Sequence, residues 1–440
     1  MKENSTKKSG SIFELSGVPS MKEVVPLGLQ HVVAAIVGVV TPAILVANVC
    51  NLSAADKTIL VQVSLLVSAL ATLLQLYPLG PIGSGLPVII GISFAYVPTV
   101  LAIGGQFGIA AIFGAQLCGG IVAFIVGMFV KQLRVLFPPM VTGTVIFTIG
   151  LSLYPTAVRY MAGGAGRADF GSPRNWLVAI ITFAVVIFFN YYTKGICKLA
   201  SILLGMLAGY LVALAMGMVS FDAVTHSGWF QVIAPLHFGI SFEISAIVSM
   251  VIMYVVNAVQ AIGDLSSTTL GGLDREPTNK ELSGGIMANG ITSIVASFFG
   301  GLPTATYSQN VGIVTVNRVV NRIVFAFAAI VLLVAGFIPK FASLLTTIPQ
   351  SVIGGATISV FATITMTGIR MISSAGLTAR NTAVVGLSVA LGVGVTSVSG
   401  CLAGFPAWVS TVFGSSSVVI ATVMAIFLNL ILPKEKPLGK

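Results

Sequence analysis

Asp264 is the residue of this sequence with the clearest capacity for chemistry. Only 12 of the 440 residues are acidic, and this one follows the apolar segment 248–260 and precedes the polar run 265–269. A carboxylate at membrane depth costs at least about 2.5–3.5 kcal/mol, so an acid in such a segment marks a candidate functional site. The alternative is a buried charge that a basic or polar neighbour satisfies.

Two glutamines accompany this acid. Gln260 lies four residues before Asp264, which places both side chains on one face of a helix. The side-chain amides of Gln260 and Gln309 each carry a donor and an acceptor in one plane, which suits a bidentate bond to an amide-like edge. With Phe94 nearby, the expected ligand is a flat, polar, uncharged or weakly acidic heterocycle. The alternative for each glutamine is hydrogen bonding between helices.

The candidate site draws polar residues from four apolar segments at comparable depth. They are Gln30-His31, Ser93, Gln260 with Asp264, and Gln309-Asn310. His31 is the only histidine inside a predicted span. Its imidazole could titrate near neutral pH, or it could orient a neighbouring span by hydrogen bonding. We favour the orienting role.

The composition is that of a membrane protein. Hydrophobic residues make up 56% of the chain, charged residues 8%, and the mean hydropathy is +1.04, whereas soluble chains carry about 25% charged residues. No HExxH motif, nucleophile elbow or pair of carboxylates occurs, so the sequence predicts no enzyme, and we expect no cofactor or metal. The four cysteines lack CxxC spacing and are expected to act as small apolar residues.

Fourteen apolar segments approach the roughly 20 residues needed to cross a bilayer core, although some are short. With the N-terminus inside, 17 Lys and Arg residues fall in inner segments and 5 in outer ones, as the positive-inside rule requires. The net charge of +10 therefore reflects topology and not nucleic-acid binding. We expect a multi-pass protein of the cell (inner) membrane with both termini cytoplasmic. The predicted spans are 25–48, 58–80, 83–102, 107–130, 135–156, 175–193, 197–218, 242–264, 283–299, 302–316, 323–339, 345–368, 383–399 and 414–433.

The spans divide into two related halves. Segments 138–143 and 349–354 share the pattern P-x-x-V-x-G, 211 residues apart, and open the fifth and twelfth spans. Because seven is odd, the second repeat must be inverted in the membrane, as is common in secondary transporters. The predicted fold is therefore an all-α membrane protein with two inverted seven-span repeats. Its parts are a cytoplasmic N-tail 1–24, a first repeat 25–218, an outer connection 219–241, a second repeat 242–433 and a cytoplasmic C-tail 434–440.

Spans 3 and 10 are short and interrupted. Gly83-Ser84-Gly85-Leu86-Pro87 leads into span 3, and Gly300-Gly301-Leu302-Pro303 leads into span 10. Paired interrupted segments indicate the central site of a transporter. Their half-helix N-termini supply positive dipole ends to an electron-rich ligand.

Four motifs resemble the nucleobase–ascorbate transporter family (nucleobase–cation symporter-2), and the resemblance extends across all 14 predicted spans. They are Gln30-His31, Ser93-Phe94-Ala95, Ala261-Ile262-Gly263-Asp264 and Ser308-Gln309-Asn310-Val311-Gly312. The resemblance implies a core and a gate domain, a homodimer, and a nucleobase substrate moved with protons or sodium across membrane lipid. The S-F-A and Q-N-x-G motifs are similar to the purine branch, whereas uracil carriers typically place Glu at the position of Gln309.

The resemblance also implies residue roles. Phe94 would pack against the base, Gln260 would hold the main binding position of span 8, and Thr315–Arg318 would tune specificity and gating. Substrate binding is implied for Gln260, Gln309, Phe94, Ser93, Ser308 and Tyr307, and coupling or support for Asp264, His31, Asn310 and Asn289.

Two positions depart from the family pattern, which usually has Glu at Gln260 and often Asp at Asn289. An amide can bond a base but cannot take up a proton. Either Asp264, alone or together with His31, carries the coupling, or the carrier is an uncoupled facilitator or exchanger. An engineered Glu→Gln change at Gln260 is a third reading.

The leading hypothesis is a secondary active transporter that imports xanthine or uric acid by alternating access, coupled to protons through Asp264. A uracil or other pyrimidine permease and an uncoupled nucleobase facilitator of the same fold stay open. A different class, an anion channel or exchanger, would need cationic or dipole-only sites, and no Lys or Arg lies in the middle of a predicted span.

Overall fold

A computed structural model describes residues 12–433 except 131, 133–137, 165 and 415. Residues 1–11 of the predicted N-tail, the predicted C-tail 434–440 and the first residues of the predicted span 135–156 lie outside the described residues. Within them, the chain forms helices and two three-residue strands. The all-helical prediction therefore describes the architecture, with a minimal sheet at its centre.

The helices follow the apolar runs of the sequence, and hydroxyl side chains cap several of their starts. Ser53, Ser172, Thr278 and Thr378 each accept a hydrogen bond from an N–H in the first turn of the helix that follows. The elements are α1 (Met21–Val49), α2 (Ala54–Leu76), β1 (Ile90–Ile92), α3 (Val97–Phe107), α4 (Ile109–Met128), α5 (Pro139–Met161), α6 (Pro173–Tyr192), α7 (Gly195–Leu199), α8 (Ser201–Ala215), α9 (Asp222–His226), α10 (Ile244–Leu273), α11 (Asn279–Phe299), β2 (Thr304–Thr306), α12 (Ser308–Asn317), α13 (Arg322–Gly336), α14 (Pro339–Thr346), α15 (Gln350–Ser374), α16 (Ala379–Ser397), α17 (Ala407–Gly414) and α18 (Ser417–Ile431).

Among the described residues, nine helices are long and apolar enough to cross a membrane. Helices α13 and α14, bent by 85°, raise this number to ten when counted as one span. Of three shorter apolar helices, α8 and α18 lie within predicted spans, and α3 overlaps the end of the predicted span 83–102. The protein is thus a multi-pass membrane protein, and the number of fourteen crossings stays a prediction.

The long helices pack into two groups. The core bundle consists of α1–α4 and α10–α13 with both strands, and the flanking bundle consists of α5, α6, α8, α15, α16 and α18. The backbone N–H groups of residues 320–322 donate hydrogen bonds to the carbonyl groups of Ile12 and Leu15 in the tail. The end of α12 and the start of α1 therefore lie on the same side of the protein. We call this side of the protein the tail face. The side where α1 ends is called the far face.

Helices α5 and α15 cross in opposite directions through small residues. A Cβ added at Gly143 would lie 2.9 Å from Ile372 N and 3.0 Å from Gly368 O, and one at Gly354 would lie 2.8 Å from Ala157 O. The contacts Gly143–Gly368 and Gly354–Ala157 are related by the same 211-residue offset as the two P-x-x-V-x-G segments. The packing of these helices thus follows the predicted internal repeat.

We predict that Gly143→Val destabilises the protein by about 1–3 kcal/mol. The new side chain would clash with backbone atoms of α15, which cannot move aside as a flexible side chain can. Gly386→Val is the matched control, since a Cβ at Gly386 meets nothing within 4 Å. Thermal unfolding of the detergent-solubilised variants measures both. Equal melting temperatures for the two variants would contradict the predicted close crossing.

Candidate functional site

The site forms around two strands paired inside the apolar body. Strand β1 pairs antiparallel with β2, in the register Ile90↔Thr306 and Ile92↔Thr304. Each strand leads into a half-helix, since α3 begins at Val97 and α12 at Ser308. The Gly- and Pro-rich interruptions predicted from the sequence therefore bring the N-terminal ends of two half-helices to the centre of the core bundle.

Hydroxyl side chains of neighbouring helices satisfy the backbone of these strands. Ser68 and Thr72 of α2 donate to Ile90 O at 2.5 and 3.2 Å, and Ile90 N donates to Thr72 Oγ1 at 2.9 Å. On the other side, Thr304 N donates to Ser293 Oγ of α11 at 3.2 Å. Backbone groups that leave a helix in an apolar environment need such partners.

Asp264 ties α10 to the strand pair. Its two oxygens accept hydrogen bonds from Thr306 Oγ1 at 2.5 Å and from Ser308 Oγ at 2.7 Å, and the residue is 8% exposed. Within the described part of the chain, no Lys, Arg or His lies within 4 Å of this carboxylate. Its neighbours are therefore polar and uncharged, and they fix the start of α12 against α10.

Both glutamines present free amides beside this hydrogen-bonded acid. Gln309 is exposed and Gln260 is half-buried, and neither side chain makes a hydrogen bond to a described residue. Gly263 of α10 and Gly312 of α12 are also exposed, and a Cβ at either would meet nothing within 4 Å. We call the face formed by Gln260, Gly263, Ser267, Ser308, Gln309 and Gly312 the amide slot.

The amide slot opens toward the tail face. Exposure continues along α10 through Ser267 and Leu270, whereas Met250, Met253 and Tyr254, nearer the far face, are buried. At the tail-face end, a cavity of about 450 Å³ is lined by Asp274, Asn317 and Arg318 among others. The tail face is therefore the side toward which the exposure of α10 extends from the slot.

Phe94 follows strand β1 and contacts the flanking bundle. Its ring meets the ring of Phe361 on α15 edge to face, with centroids 5.5 Å apart, and it is 6% exposed. Ser93 lies beside it, but its hydroxyl accepts a bond from Ala95 N at 3.1 Å. Ser93 thus stabilises the turn into α3, and Phe94 is the aromatic surface of this strand end.

His31 holds α1 to α12. The Asn310 side-chain amide lies 3.0 Å from His31 Nδ1 and 3.1 Å from His31 O, and the imidazole packs on Phe325 with ring centroids 4.3 Å apart. Because Asn310 donates, Nδ1 accepts and carries no proton. About two turns further along α12, Asn317 Nδ2 donates to Gln30 Oε1 at 3.5 Å. This geometry supports the orienting role of His31.

Tyr307 and Asn289, two further predicted site residues, are buried beside the strand pair. The Tyr307 hydroxyl donates to Ile92 O at 2.6 Å, and its ring is buried behind the strand pair. Asn289 is buried on α11, and neither atom of its amide has a hydrogen-bond partner among the described residues. The Tyr307 hydroxyl therefore helps to hold the strand pair, and its role in substrate binding stays a prediction.

Sequence reasoning missed Thr306 and Phe361. Thr306 precedes Ser308 by two residues, and strand periodicity could have placed it on the same face as Thr304. No signal in the sequence pairs Phe361 with Phe94, because the contact joins the two bundles.

Comparisons with known proteins agree with these motifs. The profile described as "Permease family" matches residues 22–400. The chain is 36% identical to the uric acid permease PucJ of Bacillus subtilis, with 93% of this chain and 92% of that protein covered. It is 34% identical to a xanthine permease of Bacillus subtilis, with 92% of each covered. Among solved structures, the transmembrane domain of a cyanobacterial bicarbonate transporter, BicA, superposes with a TM-score of 0.60 at 17% identity, covering 92% of this chain and 98% of that one.

We predict that His31→Leu destabilises the protein by about 1–3 kcal/mol. The buried side-chain N–H of Asn310 then loses its acceptor, the Nδ1 atom of His31. His31→Asn keeps an acceptor near the position of Nδ1 and should unfold close to the wild-type temperature. His226→Leu, at an exposed position of α9, is the control. If His31→Asn and His31→Leu were equally unstable, ring packing on Phe325 and not the hydrogen bond would be the role of His31.

Proposed function

The chain belongs to the nucleobase–ascorbate transporter family, and from that membership we propose that it is a secondary transporter for a purine nucleobase, xanthine or uric acid. Relatives that share about a third of its residues over nearly their whole length are named uric acid and xanthine permeases. The proposed membrane is the cell membrane, with both termini on the cytoplasmic side.

One observation carries this proposal. Gln260 and Gln309 flank the hydrogen bond from Ser308 to Asp264, and both amides are free to bind a ligand. A planar base presents adjacent donors and acceptors, which two planar amides can bind in bidentate fashion. The slot residues include no Lys or Arg, so a neutral or weakly acidic heterocycle fits better than a small inorganic anion.

The arrangement of the two bundles supports alternating access. Exposure along α10 extends from the amide slot toward the tail face, and Phe94 and Phe361 meet between the bundles. The positive-inside bias supports a cytoplasmic position for the tail face. We propose that this conformation releases substrate inward and that movement of the core bundle against the flanking bundle exposes the slot to the far face.

Asp264 is the proposed coupling residue. It is the carboxylate of the site, since Gln260 cannot take up a proton. As a carboxylate, Asp264 accepts from two hydroxyls, Thr306 and Ser308. Protonation adds a donor that needs an acceptor of its own and makes both oxygens weaker acceptors, so the bonds from Thr306 and Ser308 weaken. Proton uptake thereby acts on the start of α12, where Gln309 lies.

We predict that Gln309→Ala and Gln260→Ala each weaken the binding of radiolabelled xanthine or urate about 10- to 100-fold, as expected for lost hydrogen bonds in a desolvated site. Gln106→Ala, at the exposed end of α3, is the control and should bind as the wild type does. Purified protein and reconstituted vesicles provide the two assays. Wild-type uptake of both bases equal to that of empty vesicles would overturn the proposed function.

We predict that Asp264→Asn abolishes accumulation driven by an inward proton gradient, while exchange of internal for external base persists. Gln260→Glu should make uptake more strongly pH-dependent, because it adds a second titratable group one turn away. Uptake with and without a proton gradient, in sodium-free buffer, measures both. An unchanged gradient response in Asp264→Asn would exclude Asp264 as the coupling residue and favour an uncoupled facilitator or a sodium-coupled carrier.

A further inference from the structure

A second cavity, of about 490 Å³, lies at the far face, away from the amide slot. The core bundle contributes Asn48 at the end of α1 and Lys57 near the start of α2. The flanking bundle contributes the loop between α5 and α6 and the first residues of α6 and α15. The cavity thus lies at the junction of the two bundles.

The far-face cavity carries a net positive charge. Lys57, Arg167 and Arg174 line the cavity, and Asp169 is the only acidic residue among its described lining residues, so the net charge is +2. A hydrogen bond from the Asn175 amide and the nearby positive charge of Arg167 hold the pKa of Asp169 below its usual range. These three basic residues are among the five that the sequence places on the outer side.

The three cations keep donors free for a ligand. Lys57 Nζ donates to Asn48 Oδ1 at 2.8 Å, and one guanidinium nitrogen of Arg174 donates to Met216 O at 2.5 Å. Arg167 approaches Asp169 through Nε at 3.4 Å, which leaves its terminal nitrogens without a partner among the described hydrogen bonds. Like charges that converge on one cavity favour an anion between them.

The lining favours an oxyanion over a heterocycle. No aromatic residue is among the described lining residues, so a base has no ring to stack on. The side-chain amide of Gln350 adds donors, and α6 and α15 direct their N-terminal ends to this region. Arginine pairs with planar or tetrahedral oxyanions through two parallel bonds.

We propose that this far-face cavity binds a small divalent oxyanion of the sulfate or phosphate class, and that binding favours the conformation described above. The anion would join Lys57 of the core bundle to Arg167 and Arg174 of the flanking bundle. The conformational part rests on the proposed alternating access, because movement between the bundles would separate these cations. A ligand that binds one conformation better shifts the population toward it.

The test measures binding first, without transport. Purified protein is titrated with sodium sulfate at constant ionic strength, and thermal unfolding is followed for the wild type, Arg167→Gln, Lys57→Gln and the control Arg159→Gln. Arg159 is an exposed arginine of α5 outside the cavity lining. We expect saturable stabilisation of the wild type and the control, with apparent affinity reduced roughly tenfold or more in the two cavity variants. Non-saturable stabilisation, or equal responses in Arg167→Gln and Arg159→Gln, would overturn the site.

A second measurement tests the conformational part. External sulfate at constant ionic strength and pH should slow uptake of xanthine or urate by wild-type vesicles and leave Arg167→Gln unaffected. Saturable binding without any effect on uptake would overturn the conformational part alone. Failure of all uptake would overturn the proposed transport function, and the binding titration would still decide the anion site.

Discussion

The pairing of β1 with β2 inside an apolar helical body is the constraint on which the site depends. Backbone that leaves a helix away from water must find other partners, and here the partners are the opposite strand and hydroxyls of α2 and α11. This arrangement permits two helix starts to face the centre of the protein. Without the strand pair, spans 3 and 10 would be continuous helices, and no helix N-terminus would lie at the centre of the protein.

The same constraint explains why the acid marks the site without being exposed to a ligand. Thr306 at the end of β2 and Ser308 at the start of α12 occupy both oxygens of Asp264. The amides at Gln260 and Gln309 are left free on either side. In the proposed function, Gln260 and Gln309 recognise the ligand and Asp264 carries the coupling, and the hydrogen bond from Ser308 to Asp264 links the two roles.

Charge differs between the amide slot inside the core bundle and the cavity at the far face. The amide slot holds no basic side chain, whereas the far-face cavity gathers Lys57, Arg167 and Arg174 between the two bundles. A weakly acidic heterocycle and a small oxyanion would therefore bind at separate places. The second site depends on the relative position of the bundles, while the first depends mainly on contacts inside the core bundle.

The sequence alone determined the membrane class, the positions of the apolar segments, the 211-residue repeat and the shared face of Gln260 and Asp264. These follow from composition and from local helical geometry, which fixes neighbours within one turn. Only the tertiary structure decided that Asp264 bonds to Thr306 and Ser308, that Tyr307 turns behind the strands, that Phe94 meets Phe361, and that three outer cations share a cavity. Those contacts join residues up to hundreds of positions apart, and helix packing, which no local periodicity encodes, brings them together.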